Sequence, residues 1–90
     1  VTSTFIHDPQ STLDYAQDWS RWLSADEHIT SHLVTATGTA ELLQSTEAAG
    51  IVTVWVAGGT PGTTSTVTIH IVTNQGRQDD RSMRLQIRNR

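Results

Sequence analysis

Between residues 50 and 88 the chain alternates in polarity with a period of two, three times in succession, and that pattern restricts this half of the molecule to strands. Gly50-Ile-Val-Thr-Val-Trp-Val-Ala57 is rich in the β-branched and aromatic residues that suit a pleated surface. Val52, Val54 and Val56 share one parity there, and Ile51, Thr53 and Trp55 the other. Ser65 to Thr73 sets Val67, Ile69 and Ile71 against Thr66, Thr68 and His70. Ser82 to Arg88 sets Met83, Leu85 and Ile87 against Ser82, Arg84, Gln86 and Arg88. The runs are separated by Gly58-Gly59-Thr60-Pro61-Gly62 and by Asn74-Gln75-Gly76, both rich in turn formers. Three such runs in a row predict an antiparallel meander.

The first half supplies shorter signals. Thr2 to His7 reads as an edge strand stopped by Asp8-Pro9, Ile29 to Thr37 as a Thr-rich strand, and Glu41 to Ser45 as a short strand before the Glu47–Gly50 loop. Ser11 to Leu23 fits two patterns. Tyr15, Trp19, Trp22 and Leu23 fall at helical spacing, while the strand reading puts Leu13, Tyr15, Gln17 and Trp19 on one face. A lone helix needs a sheet to pack on and its neighbours are all strand and turn, so a strand is expected, with a helical turn near Ser20–Ala25. The result is an all-β chain: an immunoglobulin-like antiparallel β-sandwich of about seven strands.

Ninety residues allow one domain, 1–90, and the absence of Cys removes disulfides, thiolate metal sites and thiol nucleophiles together. The thin core of so short a chain then depends on its large side chains. Tyr15, Trp19, Trp55, Val67, Ile69, Ile71, Met83, Leu85 and Ile87 are the expected core. No run approaches the roughly 18 apolar residues of a membrane span, and Val1–His7 lacks the regions of a signal peptide. A soluble protein without membrane contact is expected. The absence of an initiator Met points to processing or trimming.

Charge is unevenly placed. Residues 1–76 carry Asp8, Asp14, Asp18, Asp26, Glu27, Glu41 and Glu47 against Arg21 alone. Residues 77–90 carry Arg77, Arg81, Arg84, Arg88 and Arg90 against Asp79 and Asp80, and there is no Lys anywhere. Arg is favoured where a guanidinium pairs or stacks at a contact, so the bias reads as a docking edge or as a solvated terminal strand. Trp19 and Trp22 lie three apart, which turns two rings on one strand to opposite sides. Trp22 is therefore a candidate contact residue beside Arg84, Arg88 and Arg90, with burial in the core as its other reading.

Several residues in order carry a family resemblance. Leu13-Asp14-Tyr15, Asp18-Trp19-Ser20 and Trp22-Leu23 precede Ile29-x-Ser31. Then come Val54-Trp55-Val56-x-Gly58-Gly59-Thr60, Gly62-Thr63-Thr64, Val67-Thr68, and Gly76-Arg77 leading to Asp80-Arg81-Ser82. This order, spanning nearly the whole chain, resembles small virion proteins of tailed bacteriophages, the fibre–tail adaptors. The resemblance implies an Ig-like sandwich between the tail tube or nozzle and a receptor-binding fibre or tailspike. It also implies several copies per virion, a place in the phage tail, and synthesis in the host bacterial cytoplasm. One departure is Ser65, where many sandwich domains carry Tyr before the Val-Thr run. Without a tyrosine corner, the Gly58–Thr64 loop must be held by other means.

Chemistry is poorly supported. His28 and His32 are about 13 Å apart on a strand, and no third ligand is near in sequence. His7, Asp8, Asp14 and Asp18 lack the alternating oxygen ligands and Gly of a calcium loop. No Gly-x-Ser-x-Gly elbow is present, and the Gly58–Thr64 loop lacks the Lys and the following helix of a phosphate cradle. Arg84, Arg88 and Arg90 form a basic row, but a net charge of −3 and no interleaved aromatics make a weak nucleic-acid footprint. The expectation is a non-enzymatic structural protein with no cofactor, no metal and no nucleic-acid partner. The alternative is a carbohydrate- or receptor-binding Ig-like module.

Overall fold

A computed structural model describes residues 2–89. Their strands are β1 (Thr2–His7), β2 (Thr12–Asp18), β3 (Ile29–Thr37), β4 (Glu41–Ala48), β5 (Ile51–Ala57), β6 (Thr64–Thr73) and β7 (Gln78–Ile87). They form a four-stranded sheet in the order β1-β7-β6-β3 and a three-stranded sheet in the order β2-β5-β4. The two sheets pack as a sandwich, as the Ig-like reading expects.

The core lies between the three central strands. Val52, Val54 and Val56 of β5 face Val67, Ile69 and Ile71 of β6 and Met83, Leu85 and Ile87 of β7, all fully buried. Each such side chain contributes about 1.5–3 kcal/mol by leaving water. The remaining inward space is closed by Trp19, also fully buried, and by Ile29. Tyr15 packs against this cluster from β2 and is half-buried.

Three expectations are corrected. The β5–β6–β7 meander does not form: β6 and β7 are a hairpin, but β5 belongs to the opposite sheet and pairs with β2 and β4. Residues 58–63 therefore cross from one sheet to the other. Period-two alternation tells which parity is buried, and a strand facing its neighbours across a sandwich has the same pattern as one paired beside them. Pairing is also not antiparallel throughout, because β1 runs parallel to β7.

The third correction is Trp55. With the three valines of β5 filling the interior, Trp55 is on the outward parity, half-buried among its cross-strand neighbours Asp14 and Gln44. Both parities of β5 carry large apolar residues, so the pattern alone did not decide between them. Trp19 takes the central position instead.

The ambiguous segment is a strand as far as Asp18, paired along its length with β5. It then makes one helical turn, in which the Trp22 and Leu23 amides both donate to the Trp19 carbonyl at 2.9 and 3.0 Å. Two strands are longer than their alternation suggests: β4 continues to Ala48, and β7 begins at Gln78.

Candidate functional site

Most of the polar chemistry of the chain is spent on holding the fold. The long β2–β3 connection is pinned to the β6–β7 turn through Glu27, whose side chain is fully buried. Arg77 donates to both carboxylate oxygens, Nη2 to Oε1 at 2.6 Å and Nε to Oε2 at 2.9 Å. Thr73 Oγ1 donates to Oε2 at 2.6 Å and the Ser24 amide to Oε1 at 3.0 Å. Hydrogen bonds from Arg77, then from Ser24 and Thr73, hold the Glu27 carboxyl down at about 2, and the carboxylate in turn raises Arg77. Asn74 adds to the seam, accepting from the His28 amide at 2.9 Å.

A carboxyl depressed from 4.5 to about 2 stabilises the fold fully above 4.5, and that contribution is lost as pH falls towards 2. Acid unfolding followed by circular dichroism is expected to show a decline across this window. In Glu27→Gln the decline is shallower, because the titrating group is gone. Identical slopes in both proteins would remove Glu27 from this account.

The Arg-rich end segment divides into two sets. Arg77 also donates to the Trp22 carbonyl at 2.9 Å, and its guanidinium carbon stands 4.0 Å from the Trp22 ring centroid. Trp22, half-buried against the core, is thus covered by a side chain of its own molecule. Arg81 donates to the Asp18 carbonyl at 2.8 Å and lies 4.6 Å from the Trp19 ring centroid. Trp19 Nε1 donates to Asp79 at 2.8 Å.

Arg84 and Arg88 make up the second set. Both are exposed, opposite in parity to Met83, Leu85 and Ile87, and so on the outer face of the four-stranded sheet. Because β7 lies between β1 and β6, this is a sheet face rather than the edge suggested by the sequence. Thr4 and Thr66 flank Arg84 across the strands. On the same face His70 bonds Asp80 through Nδ1 and Gln78 through Nε2, at 2.9 Å for the latter, and the Asp80 contact raises its pKa. Arg90 lies outside the described residues.

The outer face of the three-stranded sheet has the opposite sign. Asp14 and Asp18 of β2 and Glu41 of β4 are exposed there, around Trp55, and the strands contribute no basic residue. Trp55 and Asp14 are cross-strand partners 41 positions apart. Only the register brings them together, so reading along the chain did not find this face. A third surface is the side where β3 and β4, edge strands of opposite sheets, meet. A groove of about 320 Å³ there is lined by His32, Val34 and Leu42 among others, and by Leu33 and Leu43, which are 62% and 50% exposed.

His28 is exposed, and His32 Nε2 is 3.0 Å from Ser45 Oγ. Among the described residues no three His, Cys, Asp or Glu side chains gather as a metal site would require. What the surface offers is two broad outer faces of opposite charge and an apolar groove between strand edges, the equipment of a protein that meets other proteins.

Among curated proteins none matches the chain. A protein-family model does, over residues 7–86, from the last residue of β1 almost to the end of β7. The matched span takes in the acidic face, the groove and Arg84, and stops short of Arg88. The chain belongs to the family described as podophage GP4 fiber-tail adaptor protein gp77.

Proposed function

We propose that this chain is a non-enzymatic structural adaptor that joins the tail tube or nozzle of a podophage to a receptor-binding fibre or tailspike, several copies serving each virion. The family match across residues 7–86 carries this reading. The fold supports it. The buried carboxylate and the fully buried Trp are committed to internal bonds, so what remains for function is surface. Open edges at β3 and β4, with Leu33 and Leu43 exposed beside them, suit an added strand or an apolar segment of a tail partner. Arg84 and Arg88 belong to a second docking surface, on the outer face of the four-stranded sheet away from its β3 edge.

The test is solution mass, measured on the purified chain alone and then mixed with the tail and fibre proteins of the same phage. A defined complex holding both partners is the expected result, and Leu33→Asp with Leu43→Asp is expected to reduce its formation at least tenfold. A chain that ignores both partners would overturn the adaptor reading. If Trp fluorescence then shifted on adding glycans, the carbohydrate-binding module would replace it.

A further inference from the structure

The sandwich has four edge strands, β1 and β3 in one sheet and β2 and β4 in the other. An edge presents a row of unpaired backbone groups, and folds blunt such rows with shortness, charge, Pro or a bulge. Three of these edges are blunted. β1 is six residues long and stops at Asp8-Pro9. β2 carries Asp14 and Asp18. β4 carries Glu41 and Glu47 and is bulged at Leu43, the register passing from Leu42 opposite Val56 to Gln44 opposite Trp55.

β3 is left bare. Ile29–Thr37 contains no Asp, Glu, Lys, Arg or Pro. Its bulge lies at the start, between Ile29 and Ser31, and Ser31 to Thr37 then pair with β6 without interruption. A regular antiparallel register turns every second N–H and C=O of these residues away from β6, in the geometry that another strand accepts.

The surface beside this edge is apolar. The groove between β3 and β4 reaches the buried Val54 and is lined by Val34 and Leu42, with Leu33 and Leu43 exposed at it. Residues of an added strand alternate between the two faces of the sheet. One parity continues the inward row of β3 and overlies the groove, and the other lies beside Leu33. Adding a strand therefore covers free backbone and exposed apolar surface in one step.

Charge sets the ends of the occupant. From Trp22 to Gly76, a stretch that includes β3, β4, β5 and β6, the chain has no Lys or Arg. Glu41 and Glu47 stand at the two ends of β4, roughly 20 Å apart on an extended strand. Glu41 is exposed, and Glu47 accepts from the Gly50 amide through Oε2 at 3.0 Å. A segment with basic ends is matched to this border. A second copy offering its own β3 brings the same acidic ends and is opposed by like charge.

We infer that β3 is extended by a strand of the tail tube or nozzle protein, a segment apolar in its middle with Lys or Arg at its ends. The inference deepens the adaptor reading and rests on it, because that reading gives this side of the molecule to the tail partner.

Amide hydrogen exchange on the full chain is the test. The probe is the purified tail tube or nozzle protein of the same phage, followed by overlapping peptides that tile it. In the free chain the outward amides of Ser31–Thr37 are expected to exchange rapidly. Binding is expected to slow them at least tenfold and to leave β1 and β2 as they were. The peptide that reproduces this protection is expected to have the apolar middle and basic ends. Binding with no slowing at β3, or with slowing only in β4, would overturn the inference and leave the adaptor standing. Slowing brought by the fibre protein, or by concentrating the chain alone until its mass doubles, would overturn the choice of occupant. If neither tail nor fibre protein binds, and no peptide protects β3, both readings fall. Protection by a tail peptide in a chain that cannot hold the fibre protein defeats the adaptor and spares the strand.

Two variants make the second arm. Thr35 is exposed in mid-edge, opposite Thr68, so Thr35→Lys puts a charge where an added strand would bury it. It is expected to weaken binding at least tenfold with no change in the thermal midpoint of the chain. Glu41→Lys is expected to weaken binding and to flatten its dependence on salt. Affinity unchanged in both variants would overturn the inference.

Discussion

Trp19→Ala is expected to cost about 3–5 kcal/mol, the range for removing a large aromatic from a core. A small domain without disulfides has roughly 5 kcal/mol or a little more to lose, so much of the population is expected to be unfolded at room temperature. The reason is that Trp19 closes the sandwich at several points. Its side chain is fully buried among the valines and isoleucines of both sheets. Its amide donates to the Gly50 carbonyl at 2.8 Å, tying the end of β2 to the β4–β5 turn. Its indole nitrogen satisfies Asp79, and Arg81 covers the ring. Trp19→Phe retains most of the apolar volume but loses the indole hydrogen bond to Asp79, which keeps its ion pair with Arg81, so a smaller loss of about 1–3 kcal/mol is expected. Trp55→Ala, on an outer face, is expected to cost about 1 kcal/mol or less. Urea midpoints followed by far-ultraviolet circular dichroism rank the three. Equal losses for Trp19→Ala and Trp55→Ala would mean that the two rings have been given the wrong roles.

That contrast also marks what was legible in the sequence. The strands Thr2–His7 and Ile29–Thr37 have the limits that turn signals and alternation predict, and the inward residues of β6 and β7 are those of one parity. Local pattern is sufficient there because Val67, Ile69 and Ile71, and Met83, Leu85 and Ile87, are inward and the residues between them are polar. It is insufficient for β5, where Ile51 and Trp55 make the outward parity look as buried as the inward one. It is insufficient again at the start of β7, where the inward positions are Asp79 and Arg81. These are polar because they serve Trp19 rather than because they face water. The Glu27–Arg77 clasp spans 50 positions, and neither residue carries a signal of the other. The candidate faces were half legible. Arg84 and Arg88 stand out as an alternating basic row, but their setting in mid-sheet and the acidic face behind them follow from strand order alone. The two outer faces are thus assembled by topology, and strand order rather than any one segment sets which residues share them.

Ser65 shows the reverse case, a departure visible in the sequence whose consequence is structural. Its side chain is fully buried, and Oγ accepts from the Thr39 amide at 3.1 Å and the Ala40 amide at 3.0 Å, satisfying the tight connection from β3 to β4. Thr39 Oγ1 then accepts from the Thr60 amide at 2.8 Å and lies 2.9 Å from Thr63 Oγ1, so the same connection holds the Gly58–Thr64 loop. This network, rather than a tyrosine corner, fixes that end of the sandwich. It demands close approach at Gly38. A Cβ there would stand 2.6 Å from Ser65 Oγ and 2.9 Å from both the Ser65 Cα and the Thr64 carbonyl oxygen, and φ is +92°. Gly38→Ala is therefore expected to cost about 1–3 kcal/mol in backbone conformation and about as much again in collision with backbone that cannot yield. Ser65→Ala, which only removes the acceptor of two partly buried amides, is expected to cost about 1–3 kcal/mol. Removing Oγ relieves just one of the three collisions, so Gly38→Ala in the Ser65→Ala background must remain well below Ser65→Ala itself. If thermal unfolding finds Gly38→Ala no worse than an exposed turn substitution, the two connections are not locked together. The loop next to Arg88 and Glu41 would then be free to move.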